Sequence, residues 1–302
     1  MAILQVALDF VDLHRAVKVA REAIEGGAGW IEIGTPLIKS EGMNAVRHFR
    51  NLFPGVTLIA DMKTMDAGRT EMEIAAKAGA NIAVVMGNAP DSTIKECIQA
   101  GKNYGIKICV DFMNDSAVED HACDVEKWGA DYIAVHTAID DQMHGSTPFE
   151  TLRSISSKVK IPIAVAGGIN SENAIDAVNN GASIVIVGGY ISKAADAKAA
   201  TESIRKAIEE NRRIATTLFT RVTGEGIRDA LLRLSTANIS DGGHRAEGVT
   251  GMRQICPDVK LVGSAVTVRT YPGDWAKPVA AIDVAQEGDV IVVDAGGVGP
   301  AV

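Results

Sequence analysis

Aromatic side chains are scarce in this chain of 302 residues, where Phe, Trp and Tyr together make up 4%. The core therefore has to be built from Val, Ile, Leu and Ala, within a hydrophobic content of 47%. Charged residues make up 23%, which is typical of a globular protein with a sizeable core. The length suggests one large domain or two medium ones.

Cysteine is also rare, and its four residues lie far apart without any C-x-x-C motif. They are Cys97, Cys109, Cys123 and Cys256. This spacing gives no sign of a disulfide framework. We expect isolated, reduced thiols, as in a cytoplasmic protein.

Long apolar runs and excess positive charge are both missing. No run approaches the roughly 20 residues needed to span a bilayer, and the N-terminus "MAILQVALD" lacks the basic start of a signal peptide. A net charge of −8 argues against a nucleic-acid surface that depends on phosphate contacts. We therefore expect a cytoplasmic protein whose partners include neither a membrane nor a nucleic acid.

Short apolar runs recur over residues 3 to 189, with starts about 22 to 30 residues apart. Most lack the strict alternation of a strand with one wet face, which favours parallel strands buried on both faces. The eight runs are "ILQVALD", "WIEIG", "TLIADMK", "IAVVMG", "KICVDFM", "YIAVHT", "PIAVAGG" and "IVIVGG".

The segments between these runs have helical spacing, and four of them end in a Gly-Ala pair just before the next run. The four glycines are Gly27, Gly79, Gly129 and Gly181. Glycine after the last helical residue ends a helix in the left-handed conformation. Eight evenly spaced strand–helix units favour a closed (β/α)₈ barrel over an open doubly wound sheet. We place this barrel at residues 1–210.

The remaining residues, 211–302, have a different pattern. A helix is predicted at "GEGIRDALLRLS", a strand at "KLVGSAVTVRT", a helix at "AKPVAAIDVAQ" and a strand at "DVIVVDAGG". This predicts a partial second α/β domain, and we expect one edge of its sheet to be left unpaired.

Charged side chains gather where the predicted barrel strands end, and this is where (β/α)₈ barrels carry their active sites. The residues there are Asp9, Glu32, Asp61, Lys63, Asp111 and His136. Residues i and i+2 of a strand point to the same face, so we expect Lys63 beside Asp61. The alternative for His136 is a core histidine whose hydrogen bonds are satisfied.

Carboxylates around a lysine are costly to bury unless the charges pair or bind a metal. Mg²⁺ takes one or two protein carboxylates and completes its shell with water or substrate oxygens. Glu32 and Asp61, at the ends of neighbouring strands, are the predicted ligand pair. The alternative is a solvated salt-bridge network at the rim of the barrel.

Double glycines end the seventh and eighth runs, Gly167-Gly168 and Gly188-Gly189. Barrels often bind phosphate at this position through backbone N–H groups. A single pair would indicate only a turn, but two pairs on adjacent strands favour a phosphate site. Ser171 is the expected N-cap of the helix that follows strand 7.

Six motifs together resemble the orotidine 5′-monophosphate decarboxylase superfamily, and within it the 3-hexulose-6-phosphate synthase family, over residues 1 to about 210. D-x-K-x-x-D at the end of strand 3 is highly specific. The related 3-keto-L-gulonate-6-phosphate decarboxylases, which are the alternative, usually have arginine where this chain has Ile139. The motifs are "LDF", "WIEIGTPL", "ADMKTMD", "HTAIDDQMHG", "VAGGI" and "VGGYI".

The resemblance implies an aldol reaction of D-ribulose 5-phosphate with formaldehyde that depends on Mg²⁺, with Mn²⁺ as a substitute. It implies that Lys63, held by Asp61 and Asp9, stabilises the enediolate and that His136 transfers protons. In the family the acid matching Asp66 reaches a partner subunit's site, which implies a homodimer with shared active sites. Many superfamily members have arginine just after the last strand, where this chain has Gly189-Tyr190, so backbone amides would carry more of the phosphate contact.

Residues 214–302 resemble, more loosely, the first half of the regulator-of-ribonuclease-activity-A-like proteins, a family that includes class II 4-hydroxy-4-methyl-2-oxoglutarate aldolases. The metal and pyruvate site of that family uses an Arg-Asp pair about 20 residues beyond "DAGG", and this sequence does not contain it. The aldolase function of that family is therefore not carried over to this part, and a non-catalytic regulatory role is the alternative.

Overall fold

The computed structural model describes residues 2–113, 118–138 and 147–216, and in the C-terminal part residues 224, 226–242, 248, 252, 255–256, 259–271 and 273–296. The chain divides into two compact units, Met1–Phe219 and Thr220–Val302. No helix within the described residues is long and apolar enough to cross a membrane.

The first unit is a closed barrel of eight parallel strands in sequence order, with β8 paired to β1. This confirms the predicted (β/α)₈ barrel. The strands are β1 (Ile3–Leu8), β2 (Trp30–Ile33), β3 (Thr57–Thr64), β4 (Ile82–Met86), β5 (Lys107–Asp111), β6 (Tyr132–His136), β7 (Ile163–Ala166) and β8 (Ile184–Val187).

Helices surround the barrel, and the four glycines expected to end helices adopt φ angles of 96° to 106°. Only glycine adopts this conformation without strain, which confirms the prediction. The helices are α1 (Leu13–Glu25), α2 (Thr35–Glu41), α3 (Asn44–Leu52), α4 (Gly68–Ala78), α5 (Asp91–Tyr104), α6 (Val118–Trp128), α7 (Phe149–Ser156), α8 (Ala174–Asn179), α9 (Gly189–Ser192) and α10 (Ala197–Glu209).

Aliphatic residues fill the barrel in two layers, as the shortage of aromatic residues predicts. The larger layer packs the strands against the helices, with Leu8, Ile31 and Leu37 fully buried. A smaller cluster fills the barrel interior, where Ile59 and Cys109 are buried. Burial, followed by the negative charge of nearby Asp111, raises the pKa of the Cys109 thiol well above its ordinary value, so this thiol is protonated and inert.

Ser171 does not cap the helix after strand 7, contrary to the prediction. The N-cap of α8 is Asn173, and Asn170 Oδ1 accepts hydrogen bonds from the backbone of Glu172 and Asn173. The side chain of Ser171 instead donates to the carbonyl oxygen of Ile214, 2.8 Å away. A residue far along the chain therefore competes successfully for the hydroxyl group, and sequence spacing could not reveal this.

The second unit contains α11 (Gly226–Arg233), α12 (Thr236–Gly242), β9 (Ala265–Arg269), α13 (Ala276–Val284) and β10 (Val290–Asp294). β9 and β10 form a two-stranded parallel sheet, which confirms the strands and helices predicted at these positions. On β10, Ile291, Val292 and Val293 are between 36% and 41% exposed. Among the described residues, this sheet therefore lacks the full covering that the barrel strands have.

Arg50 ties together the N-terminal ends of β3 and β4. Its guanidinium donates to four backbone carbonyls, including those of Val56 and Gly79, and to Asn81 Oδ1. The Asn81 side chain in turn accepts from the backbone of Leu58. These contacts lie at the end of the barrel opposite to the ends of the strands that carry the charged residues.

We expect the Arg50→Met variant to lower the free energy of unfolding by about 2 kcal/mol, because hydrogen bonds from a charged donor contribute about 1.5–3 kcal/mol. The melting temperature should fall by about 4–8 °C. Arg47→Met is the matched control, because Arg47 is exposed and reaches Asn44 of its own helix. Thermal and urea unfolding curves give the comparison, and equal shifts for the two variants would contradict this role for Arg50.

Candidate active site

The C-terminal ends of the strands bring most of the predicted site residues to one mouth of the barrel. Asp9 follows β1, Glu32 lies in β2, Asp61 and Lys63 lie in β3, Asp111 ends β5 and His136 ends β6. Strand order places β2 beside β3, so Glu32 and Asp61 belong to neighbouring strands at the same end. The predicted charges therefore share one site.

Two buried carboxylates hold Lys63. Its Nζ lies 3.0 Å from Asp111 Oδ2 and 3.3 Å from Asp61 Oδ2. Asp61 and Asp111 are only 4% and 3% exposed. Loss of solvation acts to lower the pKa of Lys63, but the charges of Asp111 and Asp61 outweigh it and raise the pKa well above its ordinary value. The lysine therefore stays protonated over the physiological pH range.

A β-bulge, rather than regular alternation, places Lys63 beside Asp61. Ala60 pairs with Ala83 but Thr64 pairs with Val85, so the register between β3 and β4 shifts across Lys63. Lys63 itself has a φ of 45°. A left-handed non-glycine residue costs about 1–3 kcal/mol and persists where its surroundings hold it, often at functional sites. The two side chains therefore meet as predicted, but in an irregular stretch of β3 rather than in a regular strand.

Asp9 does not pair with Lys63, contrary to what the resemblance implied. It lies at the end of β1, where the absence of a side chain at Gly34 leaves room for it: a Cβ there would fall 2.2 Å from Asp9 Oδ1. Asp9 is exposed to solvent. It is still close enough to Asp61, Lys63 and His136 for their charges to act on its carboxyl group. Partial loss of solvation, followed by the charge of Asp61, raises the pKa of Asp9.

Asp111, which took no role in the sequence analysis, connects the lysine to the histidine. Its Oδ2 lies 3.2 Å from His136 Nδ1 as well as 3.0 Å from Lys63 Nζ. Burial acts to raise the pKa of Asp111, but the His136 hydrogen bond and the Lys63 charge outweigh it and lower the pKa. Asp111 is therefore ionised and orients the imidazole. The sequence placed Asp111 at the end of a barrel strand, but residue spacing does not indicate which side chains it contacts.

Glu32 and Asp61 have the properties expected of ligands for a hard cation. Gln5 Nε2 donates to one Glu32 oxygen at 2.5 Å, and Thr35 Oγ1 donates to Asp61 Oδ2 at 2.8 Å. Asp61 Oδ1 is buried and lacks a hydrogen-bond partner among the described residues. Burial, followed by the charges of Asp61 and Asp9, raises the pKa of Glu32 well above its ordinary value.

The site therefore holds more negative than positive charge. Two of its buried carboxylate oxygens, Asp61 Oδ1 and Asp111 Oδ1, lack a hydrogen-bond partner among the described residues. No group of three or more His, Cys, Asp or Glu residues in the described ranges is arranged to hold a metal ion. The residues fit a cation that needs only two protein carboxylates and takes its other ligands from water or substrate. This is the coordination that Mg²⁺ prefers.

The double glycines lie at the same mouth, after β7 and β8. Gly167 and Gly168 have φ angles of 115° and 66°, and a Cβ on Gly167 would fall 2.8 Å from the carbonyl oxygen of Thr137. Gly188 precedes α9, and a Cβ on Gly189 would meet nothing within 4 Å. The two turns thus present bare backbone at the ends of adjacent strands.

Asp66 is not brought together with the other predicted site residues of its own barrel. It is exposed, and its Oδ1 accepts a hydrogen bond from the next backbone amide, that of Ala67. Ile139 and the D-x-Q motif after the histidine lie outside the described residues. These two features therefore remain predictions from the sequence.

Comparison with known proteins finds matches for both parts of the chain. A model of the family "Orotidine 5′-phosphate decarboxylase / HUMPS" matches residues 2–204, and one of "Aldolase/RraA" matches residues 236–301. A 3-hexulose-6-phosphate synthase of Bacillus subtilis strain 168 is 40% identical over 204 residues, which are 67% of this chain and 96% of that protein.

Two solved structures extend the comparison. The 3-hexulose-6-phosphate synthase of Salmonella typhimurium is 34% identical with a TM-score of 0.67, covering 70% of this chain and 100% of its own. The 3-keto-L-gulonate-6-phosphate decarboxylase of Vibrio cholerae O1 biovar El Tor is 27% identical with a TM-score of 0.62, covering 69% and 98%.

The synthases are lyases, and the level of identity over the whole barrel makes the first unit an enzyme of the same aldolase type. In the second unit, the similarity to the Aldolase/RraA family spans residues 236–301. The chain belongs to the orotidine 5′-phosphate decarboxylase / HUMPS family.

Proposed function

We propose that the barrel catalyses the reversible, Mg²⁺-dependent aldol condensation of D-ribulose 5-phosphate with formaldehyde, which gives D-arabino-3-hexulose 6-phosphate. The observation that carries the proposal is the protonated Lys63 held between the buried carboxylates of Asp61 and Asp111. Relatives named 3-hexulose-6-phosphate synthase support this choice of substrates.

Lys63 acts on the charge that develops during the reaction. D-ribulose 5-phosphate has to lose a proton from C1 before it reacts with formaldehyde, and negative charge then spreads over the oxygens on C1 and C2. An ammonium group already fixed in place stabilises this charge without reorganisation. Asp61 and Asp111 fix the ammonium and keep it protonated, so that Lys63 acts as an electrostatic group rather than as a base.

His136 moves the protons. Its Nδ1 is engaged with Asp111, which leaves Nε2 of the imidazole as the nitrogen that takes the proton from C1. The carbon–carbon bond then forms between C1 and the formaldehyde carbon. The formaldehyde oxygen becomes an alkoxide and takes the proton back from His136, so that the histidine ends the cycle as it began.

Glu32 and Asp61 would hold the Mg²⁺ ion, with Mn²⁺ as a substitute of the same oxygen preference. A bound divalent ion supplies positive charge that stabilises the enediolate oxygens. Gln5 and Thr35 orient the two carboxylates through their hydrogen bonds. Asp9 adds negative charge at the rim. The glycine turns at 167–168 and 188–189 would bind the phosphate group through backbone N–H groups.

Asp66 serves the neighbouring active site in this proposal. Its side chain is exposed just beyond the bulged end of β3, so it is free to reach a second copy of the barrel. The protein would then be a homodimer in which each active site takes Lys63 from one subunit and Asp66 from the other.

The second candidate is a 3-keto-L-gulonate-6-phosphate decarboxylase, which the likeness to the Vibrio cholerae structure favours. Loss of carbon dioxide from that substrate would produce a similar enediolate, so the same lysine would serve. Ile139, where those decarboxylases usually have arginine, counts against this candidate. For the second unit, a non-catalytic regulatory role is the alternative to a catalytic one.

The purified full chain should consume D-ribulose 5-phosphate only when formaldehyde is present. A chelator in excess should abolish this activity and added Mg²⁺ should restore it. Glu32→Gln should raise the Mg²⁺ concentration needed for half-maximal activity, while the affinity for inorganic phosphate stays unchanged. Product formation followed by NMR gives the measurement. Full activity in the chelator would remove the metal from the proposal, and carbon dioxide release from 3-keto-L-gulonate 6-phosphate without any formaldehyde-dependent reaction would favour the decarboxylase.

The shared active site predicts that two inactive variants restore each other. Lys63→Ala and Asp66→Ala should each be nearly inactive alone. After random subunit exchange, about a quarter of wild-type activity should return, because half of the dimers would contain one intact site of two.

The control mixes Lys63→Ala with Asp61→Ala. These lesions belong to the same subunit's site, so every mixed site would carry one of them and activity should stay absent. Native mass spectrometry verifies the exchange. If Asp66→Ala mixtures exchange fully and also stay inactive, Asp66 acts within its own barrel or only in folding.

A further inference from the structure

The Tyr190 hydroxyl lies at the centre of a partly buried group of four hydroxyls, which connects the segments next to the two glycine turns. It is 3.1 Å from Ser171 Oγ, 3.2 Å from Ser203 Oγ and 3.2 Å from Thr216 Oγ1. Tyr190 is 6% exposed and Ser171 is fully buried. Tyr190 directly follows Gly189, and Ser171 stands three residues after Gly168, so the phenol links the turn after β8 to the turn after β7.

The segment that follows α10 closes this group from the other side. Ser171 Oγ donates to the carbonyl oxygen of Ile214 at 2.8 Å, and the Ile214 amide donates to the carbonyl oxygen of Ser171 at 2.9 Å. The Thr216 amide donates to Glu172 Oε1 at 2.9 Å. Three hydrogen bonds thus fasten residues 214–216 to the turn after β7, and Tyr190 fastens them to the turn after β8.

From this arrangement we propose that Tyr190 is a positioning residue for the substrate phosphate. Its hydroxyl holds the two glycine turns at the separation that lets their backbone N–H groups bind one phosphate together. This inference rests on the proposed function, in which those turns carry the phosphate. The hydroxyl faces Ser171, Ser203 and Thr216 inside the protein, so Tyr190 acts through the backbone.

Glycine explains why such a holding group is needed. Glycine has more backbone freedom to lose than any other residue, and the residues at 167, 168, 188 and 189 have no side chains with which to pack. Hydrogen-bonded hydroxyls in a partly buried group strengthen one another and favour a single arrangement. A site that is ordered beforehand loses less entropy when it binds its ligand.

The expected consequence is a loss of binding without a loss of chemistry. The phosphate group does not react, so its contacts are the same in the ground state and the transition state, and weakening them raises KM while kcat stays unchanged. Substitution of a residue that only stabilised the fold would lower the melting temperature. It would leave KM and kcat unchanged at temperatures well below unfolding.

Tyr190→Phe, which removes only the hydroxyl, tests the inference in the full chain. We expect KM for D-ribulose 5-phosphate and Kd for inorganic phosphate, measured by calorimetry, to rise by the same factor of about five to ten, the scale of one uncharged hydrogen bond. The value of kcat should stay within about twofold, and KM for formaldehyde should not change.

Tyr104→Phe is the matched control, because the Tyr104 hydroxyl also donates a hydrogen bond, to Glu73 Oε2 at 2.6 Å, on helices α5 and α4 outside this hydroxyl group. It should leave all four constants unchanged. Ser171→Ala removes the same hydrogen bond between Ser171 and Tyr190 from the other side. This variant should raise the Kd for phosphate. In the Tyr190→Phe, Ser171→Ala double variant, the Kd for phosphate should rise by less than the product of the two single factors.

The two failures are distinguishable. If Tyr190→Phe lowers the melting temperature but leaves the phosphate Kd and the KM unchanged, the inference is wrong. If the wild type is at the same time active on D-ribulose 5-phosphate and formaldehyde, the proposed function still stands. Calorimetry needs no turnover. A wild type without formaldehyde-dependent activity, whose phosphate binding Tyr190→Phe nevertheless weakens, would overturn the proposed function and support the inference.

Discussion

The ion pairs of Lys63 with Asp61 and Asp111 are the interaction on which the rest of the site depends. Burying one of these charges alone would be unfavourable, and removing one partner of a buried pair costs about 3–5 kcal/mol. The three residues therefore have to be placed together, and a bulge in β3 with a strained φ of 45° at Lys63 achieves this. The same Asp111 oxygen then orients His136. One carboxylate thus links the electrostatic group to the residue proposed to move protons.

Much of the fold could be predicted, because eight apolar runs and the glycines at helix ends are local signals. The membership of the site could also be predicted, since barrel strands carry their polar residues to one end. The pairing within the site could be predicted only in part, since Lys63 meets Asp61 as expected. Asp9 was expected beside Lys63, yet Asp111 stands there, because a bulge changes the direction of a side chain and leaves no mark in the spacing of residues. Ser171 shows the same limit, since its hydroxyl prefers a carbonyl 43 residues further along the chain to the nearby helix end.

Two sides of the barrel mouth are proposed to bind different parts of the substrate. At β2, β3, β5 and β6 the side chains are charged and act where bonds change. At β7 and β8 the turns are glycine, and the hydroxyl group around Tyr190 orders them. Residues 214–216 contribute to this ordering, so the segment after the last barrel helix belongs functionally to the barrel.

The central claim is that the fixed ammonium of Lys63 stabilises the enediolate, and proton exchange at C1 tests it most directly. In D₂O with Mg²⁺ and without formaldehyde, the wild type should incorporate deuterium at C1 of D-ribulose 5-phosphate, observed by NMR. Lys63→Met, folded and still binding inorganic phosphate, should exchange at least about 100-fold more slowly, the scale of losing one preorganised electrostatic contact. Exchange by Lys63→Met at nearly the wild-type rate would contradict the account and assign Lys63 a structural role.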